Sequence, residues 1–173
     1  MIFGKASWSA TPTIDLSNLG TAGITIFGAD ANDRSGRVSD AGDVNGDGFD
    51  DILIGAGGGD ASGNAKPNAG ESNLIFGKAD WSTTPTIDLR NPGSAAITIY
   101  GADRTDFIGD SLSVAGDVNG DGFDDILIGA SNTDGVGNAK PNAGESYLIF
   151  GKANWSTTPT INVASLGSAG VTI

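Results

Sequence analysis

The chain has no cysteine and no histidine. The first absence excludes disulfides and thiol chemistry. The second removes the usual general base and the usual zinc ligand. No apolar run approaches the length of a membrane span. The opening segment, MIFGKASWSA, lacks the charged-then-apolar layout of a secretory leader. Basic residues are scarce, with nine Lys and Arg against 21 Asp and Glu, for a formal net charge of −12. That balance excludes nucleic-acid binding, which needs clustered cations, and disfavours attraction to anionic lipid. It favours bound cations. What the chain does have is glycine, 28 of 173 residues, with 38% hydrophobic content. Such a composition predicts frequent turns and mostly β-structure. A secreted protein without disulfides needs another staple, and metal is one.

The sequence repeats itself. AGDVNGDGFDDILIGA stands at 41–56 and again, unchanged, at 115–130. GNAKPNAGES recurs from 63 to 137, and LIFGKADWSTTPTIDL at 74 returns as LIFGKANWSTTPTINV at 148, a period of 74 residues. MIFGKASWSATPTIDL at 1–16 is a third copy of the latter.

One period, read from Gly36, holds four short apolar segments: 36–42, 52–56, 71–77 and 97–101. No 3.6-residue periodicity runs through them, which excludes a helical solenoid. Between the last two lies an irregular connection with a Trp and an extended turn at Thr86–Leu89. The expected fold is all-β, with propeller blades of four antiparallel strands. On this register residues 1–35 form the last two strands of a partial blade, Ile2–Gly4 and Ile24–Phe27. A first full blade covers 36–100 with its acidic loop at 43–51, and a second covers 101–173 with its loop at 117–125. About two and a half blades make an open arc rather than a closed ring, since closure takes about four to eight. Met1 stands where Leu74 and Leu148 stand later, so the expectation is a fragment of a longer chain.

Eight of the acidic residues crowd into the two identical loops: Asp43, Asp47, Asp50, Asp51, Asp117, Asp121, Asp124 and Asp125. Alternate oxygen side chains on a tight loop can converge on one hard cation. Asp43, Asn45 and Asp47 supply positions 1, 3 and 5, and Asp51 position 9. Asp117, Asn119, Asp121 and Asp125 do the same in the second copy. Gly48 and Gly122 permit the sharp turn. The carbonyls of Phe49 and Phe123 are the natural backbone ligands. An EF-hand would need a Glu at position 12 and flanking helices, whereas Ile54 stands there inside an apolar strand. The simpler alternative is Asx/Gly turns without metal, which do not need four carboxylates in nine residues. Asp50 and Asp124 read as turn caps or solvent-facing groups.

These loops, followed by ESNLIFG, resemble the FG-GAP repeat of the integrin α-chain propeller and of many bacterial surface proteins. FG pairs stand at Phe3-Gly4, Phe27-Gly28, Phe76-Gly77 and Phe150-Gly151. The usual Pro after Gly55-Ala56 and Gly129-Ala130 is replaced by Gly57 and Ser131. The resemblance implies two calcium ions. One would be held by Asp43, Asn45, Asp47, Phe49 and Asp51, the other by Asp117, Asn119, Asp121, Phe123 and Asp125.

Trp8, Trp81 and Trp155 recur in one connection, each five residues after an FG phenylalanine. They are either an aromatic platform for sugar rings or packing that seals each connection over its own blade. GAGGGDASG lacks the alternating apolar positions of a β-roll repeat. NWS at 154–156 is a lone glycosylation match. Glu71 and Glu145 precede strands, with no second carboxylate placed by sequence to pair with them. No nucleophile–base pair and no phosphate loop is found, so no enzyme is expected.

The function expected is a calcium-binding propeller segment of an extracellular or cell-surface protein, used in adhesion or ligand binding. Its partner would be a protein or carbohydrate. The alternatives are a non-catalytic module of a larger secreted hydrolase, and a scaffold that self-associates or docks further blades of the same parent chain.

Overall fold

A computed structural model describes residues 1–5, 13–135 and 139–173. Trp8 and residues 137–138 of the second GNAKPNAGES copy lie outside the described residues. The strands are β1 (Thr25–Phe27), β2 (Arg37–Gly42), β3 (Asp51–Ala56), β4 (Glu71–Ile75), β5 (Thr86–Asp88), β6 (Ala96–Tyr100), β7 (Ile108–Gly116), β8 (Asp125–Ala130), β9 (Glu145–Ile149), β10 (Thr160–Asn162) and β11 (Gly170–Thr172).

They form a five-stranded sheet in the order β10-β6-β4-β3-β2, a four-stranded sheet β11-β9-β8-β7, and a pair β1-β5. Strands β2, β3, β4 and β6 pair antiparallel in chain order. Strands β7, β8, β9 and β11 do the same. The four-strand unit legible in the sequence is therefore present twice. A third unit is represented by β1 and by Ile2, which is bridged to Gly23. The described sheets close no ring.

The segment expected as an extended turn at Thr86–Leu89 is a strand, and it leaves its own sheet. β5 pairs with β1, and β10 with β6, both in parallel. Parallel pairing needs a long crossover, and the Trp-bearing connection supplies it. Each repeat is thereby stitched to the outer edge of the one before. The register sets Ile87 beside Ile26 and Ile161 beside Ile99, and Ile87 and Ile161 are both buried.

β3 reads as a continuous apolar run because its sheet is covered on both faces. Leu53, Leu74, Ile97 and Ile99 share one core with Ile126, Ile128, Tyr147 and Ile149 of the second sheet. Ile52, Ile54 and Ile75 share the other with Phe3, Ile24 and Ile26. Each fully buried side chain of this size contributes roughly 1.5–3 kcal/mol. Where the sheets come closest, a methyl group on Gly55 would lie 2.2 Å from the Gly109 carbonyl oxygen, so only glycine allows that backbone contact.

Candidate functional site

Each acidic loop folds on its own side chains. Gly48 and Gly122 have φ of +88° and +93°, a conformation glycine adopts without strain. Their N–H groups turn back and donate to Asp43 Oδ2 and Asp117 Oδ2, both at 2.9 Å. The N–H of Asp47 donates to Asp43 Oδ1 at 3.0 Å and Asn45 Oδ1 at 2.9 Å. The N–H of Phe49 donates to Asp47 Oδ1 at 2.9 Å. The second loop repeats this. Asp121 N–H donates to Asp117 Oδ1 and Asn119 Oδ1, and Phe123 N–H to Asp121 Oδ1.

The last acidic position of each loop is different. Asp51 and Asp125 are buried. Asp51 accepts from Val44 N–H at 3.0 Å and Gly77 N–H at 2.7 Å. Asp125 accepts from Val118 N–H at 3.0 Å and Gly151 N–H at 2.9 Å. These glycines belong to the FG pairs. A methyl group on either would lie 2.4 Å from a backbone oxygen, that of Asp50 or of Asp124. The FG glycine thus lets the end of the third strand clamp the loop carboxylate. The sequence reading quoted the FG pairs but missed this bond. Its signal is the fixed 26-residue spacing from Asp51 to Gly77 and from Asp125 to Gly151.

Burial pushes the Asp51 carboxyl up to about 7. The Gly77 and Val44 N–H bonds oppose this, and the charges of Asp47 and Asp43 add to it. No cation is among the groups that act on it.

The two loops touch. Asp124 Oδ2 accepts from Asp43 N–H at 2.9 Å, and Asp124 N–H donates to the Asp43 carbonyl at 3.2 Å. The expectation for Asp124 is thereby corrected: it reaches the neighbouring loop, drawn there by an otherwise unmet N–H. Asp50, its counterpart, is exposed. The Phe123 ring lies over Gly46, where a methyl group would come 2.6 Å from its Cε1.

The tryptophans pack, but across units rather than over their own. Trp155 is buried, donates from Nε1 to the Val44 carbonyl at 3.4 Å, and lies 6.1 Å from Phe76 between ring centroids. Trp81 lies 6.3 Å from Phe3 in the same way. The crossover that carries each Trp runs toward the preceding unit, which explains the difference. Lys78 and Lys152 sit over the Trp81 and Trp155 rings at 4.7 Å and 4.6 Å.

A second acidic group escaped the sequence reading. Asp33, Asp30 and Asp60 surround Glu71, whose burial, followed by those three charges, pushes its carboxyl up to about 7. In the next unit Glu145 accepts from Tyr147 Oη at 2.6 Å, and Asp106 lies near Asp103, Glu145 and Asp134. The carboxylates meet because the Gly/Asn-rich loop folds over the start of the third strand, a contact with no local sequence signature.

Among the described residues no three acidic side chains converge as a ready-made metal centre. The donor set of each loop nevertheless suits a hard cation. It is all oxygen and anionic, and a carboxylate oxygen that accepts one N–H keeps a further lone pair. No helix among the described residues is long and apolar enough to cross a membrane. A family comparison matches residues 35–72 and 109–149 to the FG-GAP repeat. A search of curated proteins found no match to the chain.

Proposed function

We propose, for a chain whose residues 35–72 and 109–149 are FG-GAP repeats, that it is a calcium-binding propeller segment of an extracellular or cell-surface protein. Its role is adhesion or ligand binding, toward a protein or a carbohydrate. Calcium is structural, with one ion in each acidic loop. Asp43, Asn45, Asp47, the Phe49 carbonyl and Asp51 would hold the first. Asp117, Asn119, Asp121, the Phe123 carbonyl and Asp125 would hold the second.

One observation carries this reading. Asp51 is buried beside Asp43 and Asp47 with no cation among the groups that act on it. A divalent ion would offset that repulsion. It would also tie the first two strands of the sheet, β2 and β3, to the FG turn through Asp51 and Gly77. Because the unfolded loop binds calcium weakly, the ion would stabilise the fold by mass action. Millimolar extracellular calcium suits a site of moderate affinity.

Calorimetric titration of the chelator-stripped chain with calcium tests this. Two sites per chain are expected. A folded chain that takes up no calcium reduces the loops to hydrogen-bonded turns and ends the proposal.

A further inference from the structure

The stitch between units occurs three times in the sequence and is used twice. β5 joins β1 and β10 joins β6. The third copy is TPTIDL at 11–16, and its residues Thr13, Ile14 and Asp15 lie outside any strand. The residue that closes the stitch records the difference. Leu89 is 3% exposed and Val163 4%, whereas Leu16 is 70% exposed.

The acceptor is left over at the other end of the molecule. β11 is the repeat equivalent of β1 and β6, and β9 is its one neighbour. The apolar face around it is uncovered. Ile173 is 70% exposed where Ile99 is 0%, and Val118 is 53% exposed where Val44 is 1%. Ile2, the counterpart of the fully buried Ile75 and Ile149, is exposed at the opposite end. An uncovered strand edge is a template for pairing, and a contiguous exposed apolar face marks a contact surface.

We propose that copies of this chain join head to tail. Thr13–Leu16 of one copy adds as a parallel strand outside β11 of another, with Thr13 beside Thr172 and Ile14 beside Ile173. That register is the one in which Thr160 stands beside Thr98 and Ile161 beside Ile99. The joint brings the exposed Ile2 of one copy onto the face of Val171 and Ile173 of the next. The occupant is a second copy because one chain carries both halves of a joint it already makes twice, in the same sequence and register. Main-chain bonds of the added strand and the apolar face together provide the affinity. The two halves are different surfaces, so the contact is heterologous and propagates unless the rotation closes it.

The test is sedimentation equilibrium of the whole chain and of two variants, Leu16→Asp and Ile173→Asp. Both positions are exposed, so neither substitution disturbs the core. The wild-type chain is expected to gain mass with concentration, and each variant alone to stay monomeric. An equimolar mixture of the two should form a heterodimer and nothing larger, because it contains one live donor and one live acceptor. The proposal is overturned if the wild-type chain is monomeric at every concentration. It is equally overturned if a single variant assembles as the wild type does, or if the mixture forms no dimer.

Discussion

Asp124 receives the backbone N–H of Asp43 at 2.9 Å across 81 residues of chain. This bond couples the two acidic loops directly, whatever ion each holds. Asp124→Ala would leave a half-buried N–H unmet and is expected to lower stability by roughly 1–2 kcal/mol. The matching change at the exposed Asp50 is expected to stay within about 0.5 kcal/mol. Urea denaturation of the two variants side by side reads the difference. Equal effects would mean that the inter-loop bond contributes nothing beyond a surface charge.

Calcium should raise the melting temperature, and the loop carboxylates should decide by how much. Saturation at about 100 times the dissociation constant stabilises by roughly 2.7 kcal/mol per site. Asp47→Ala and Asp121→Ala are each expected to remove one of two sites and about half of the calcium-dependent shift. Melts in calcium and in chelator, run on both variants and on the wild-type chain, check this. A wild-type melt indifferent to calcium would count against both sites.

Glu71 predicts a pH dependence of opposite sign to that of an ion-paired carboxylate. Its folded-state value is raised from 4.5 to about 7 by burial and by Asp33, Asp30 and Asp60. The folded chain therefore holds this proton more tightly than the unfolded chain does. The associated stability is fully present below about 4.5 and is lost as pH rises through about 7. By the usual conversion the whole effect is at most roughly 3 kcal/mol. Glu71→Gln is expected to gain on the wild-type chain between pH 5 and pH 8 in thermal melts at constant calcium. A constant difference across that range would show that the carboxyl titrates normally.

Trp155 joins the second unit to the first through Phe76 and the Val44 carbonyl. Trp155→Phe keeps most of the packing but loses the Nε1 bond, and should cost about 1 kcal/mol. Trp155→Ala should cost roughly 3–5 kcal/mol. The alanine variant is also expected to split one denaturation transition into two, because repeat units depend on their neighbour interfaces. A single sharp transition would place the coupling elsewhere.

Repetition made the architecture readable. Leu53, Ile54, Leu74 and Ile75 lie in short apolar runs bounded by glycine-rich loops, and those runs are strands. The acidic loops were equally plain, since Asp43, Asn45, Asp47 and Gly48 hydrogen-bond within one another's reach along the chain. What stayed hidden depends on contacts between distant segments. Thr86–Asp88 pairs with a strand of another unit, so its local sequence reads only as extended. Asp124 looks like its twin Asp50 until the neighbouring loop is placed beside it. Glu71 looks isolated because Asp33 and Asp60 reach it from two different loops. Such relations follow from how units stack, and a single period does not contain that information.

The parallel stitch also imposes an order on synthesis. The outer edge of each sheet, β1 or β6, is completed by a strand lying beyond the third strand of the following unit. As the chain leaves the ribosome, a unit can pair its own strands but must wait for most of the next repeat before its last edge is closed. Maturation therefore trails translation by about one repeat, and it proceeds in one direction, from the amino terminus onward.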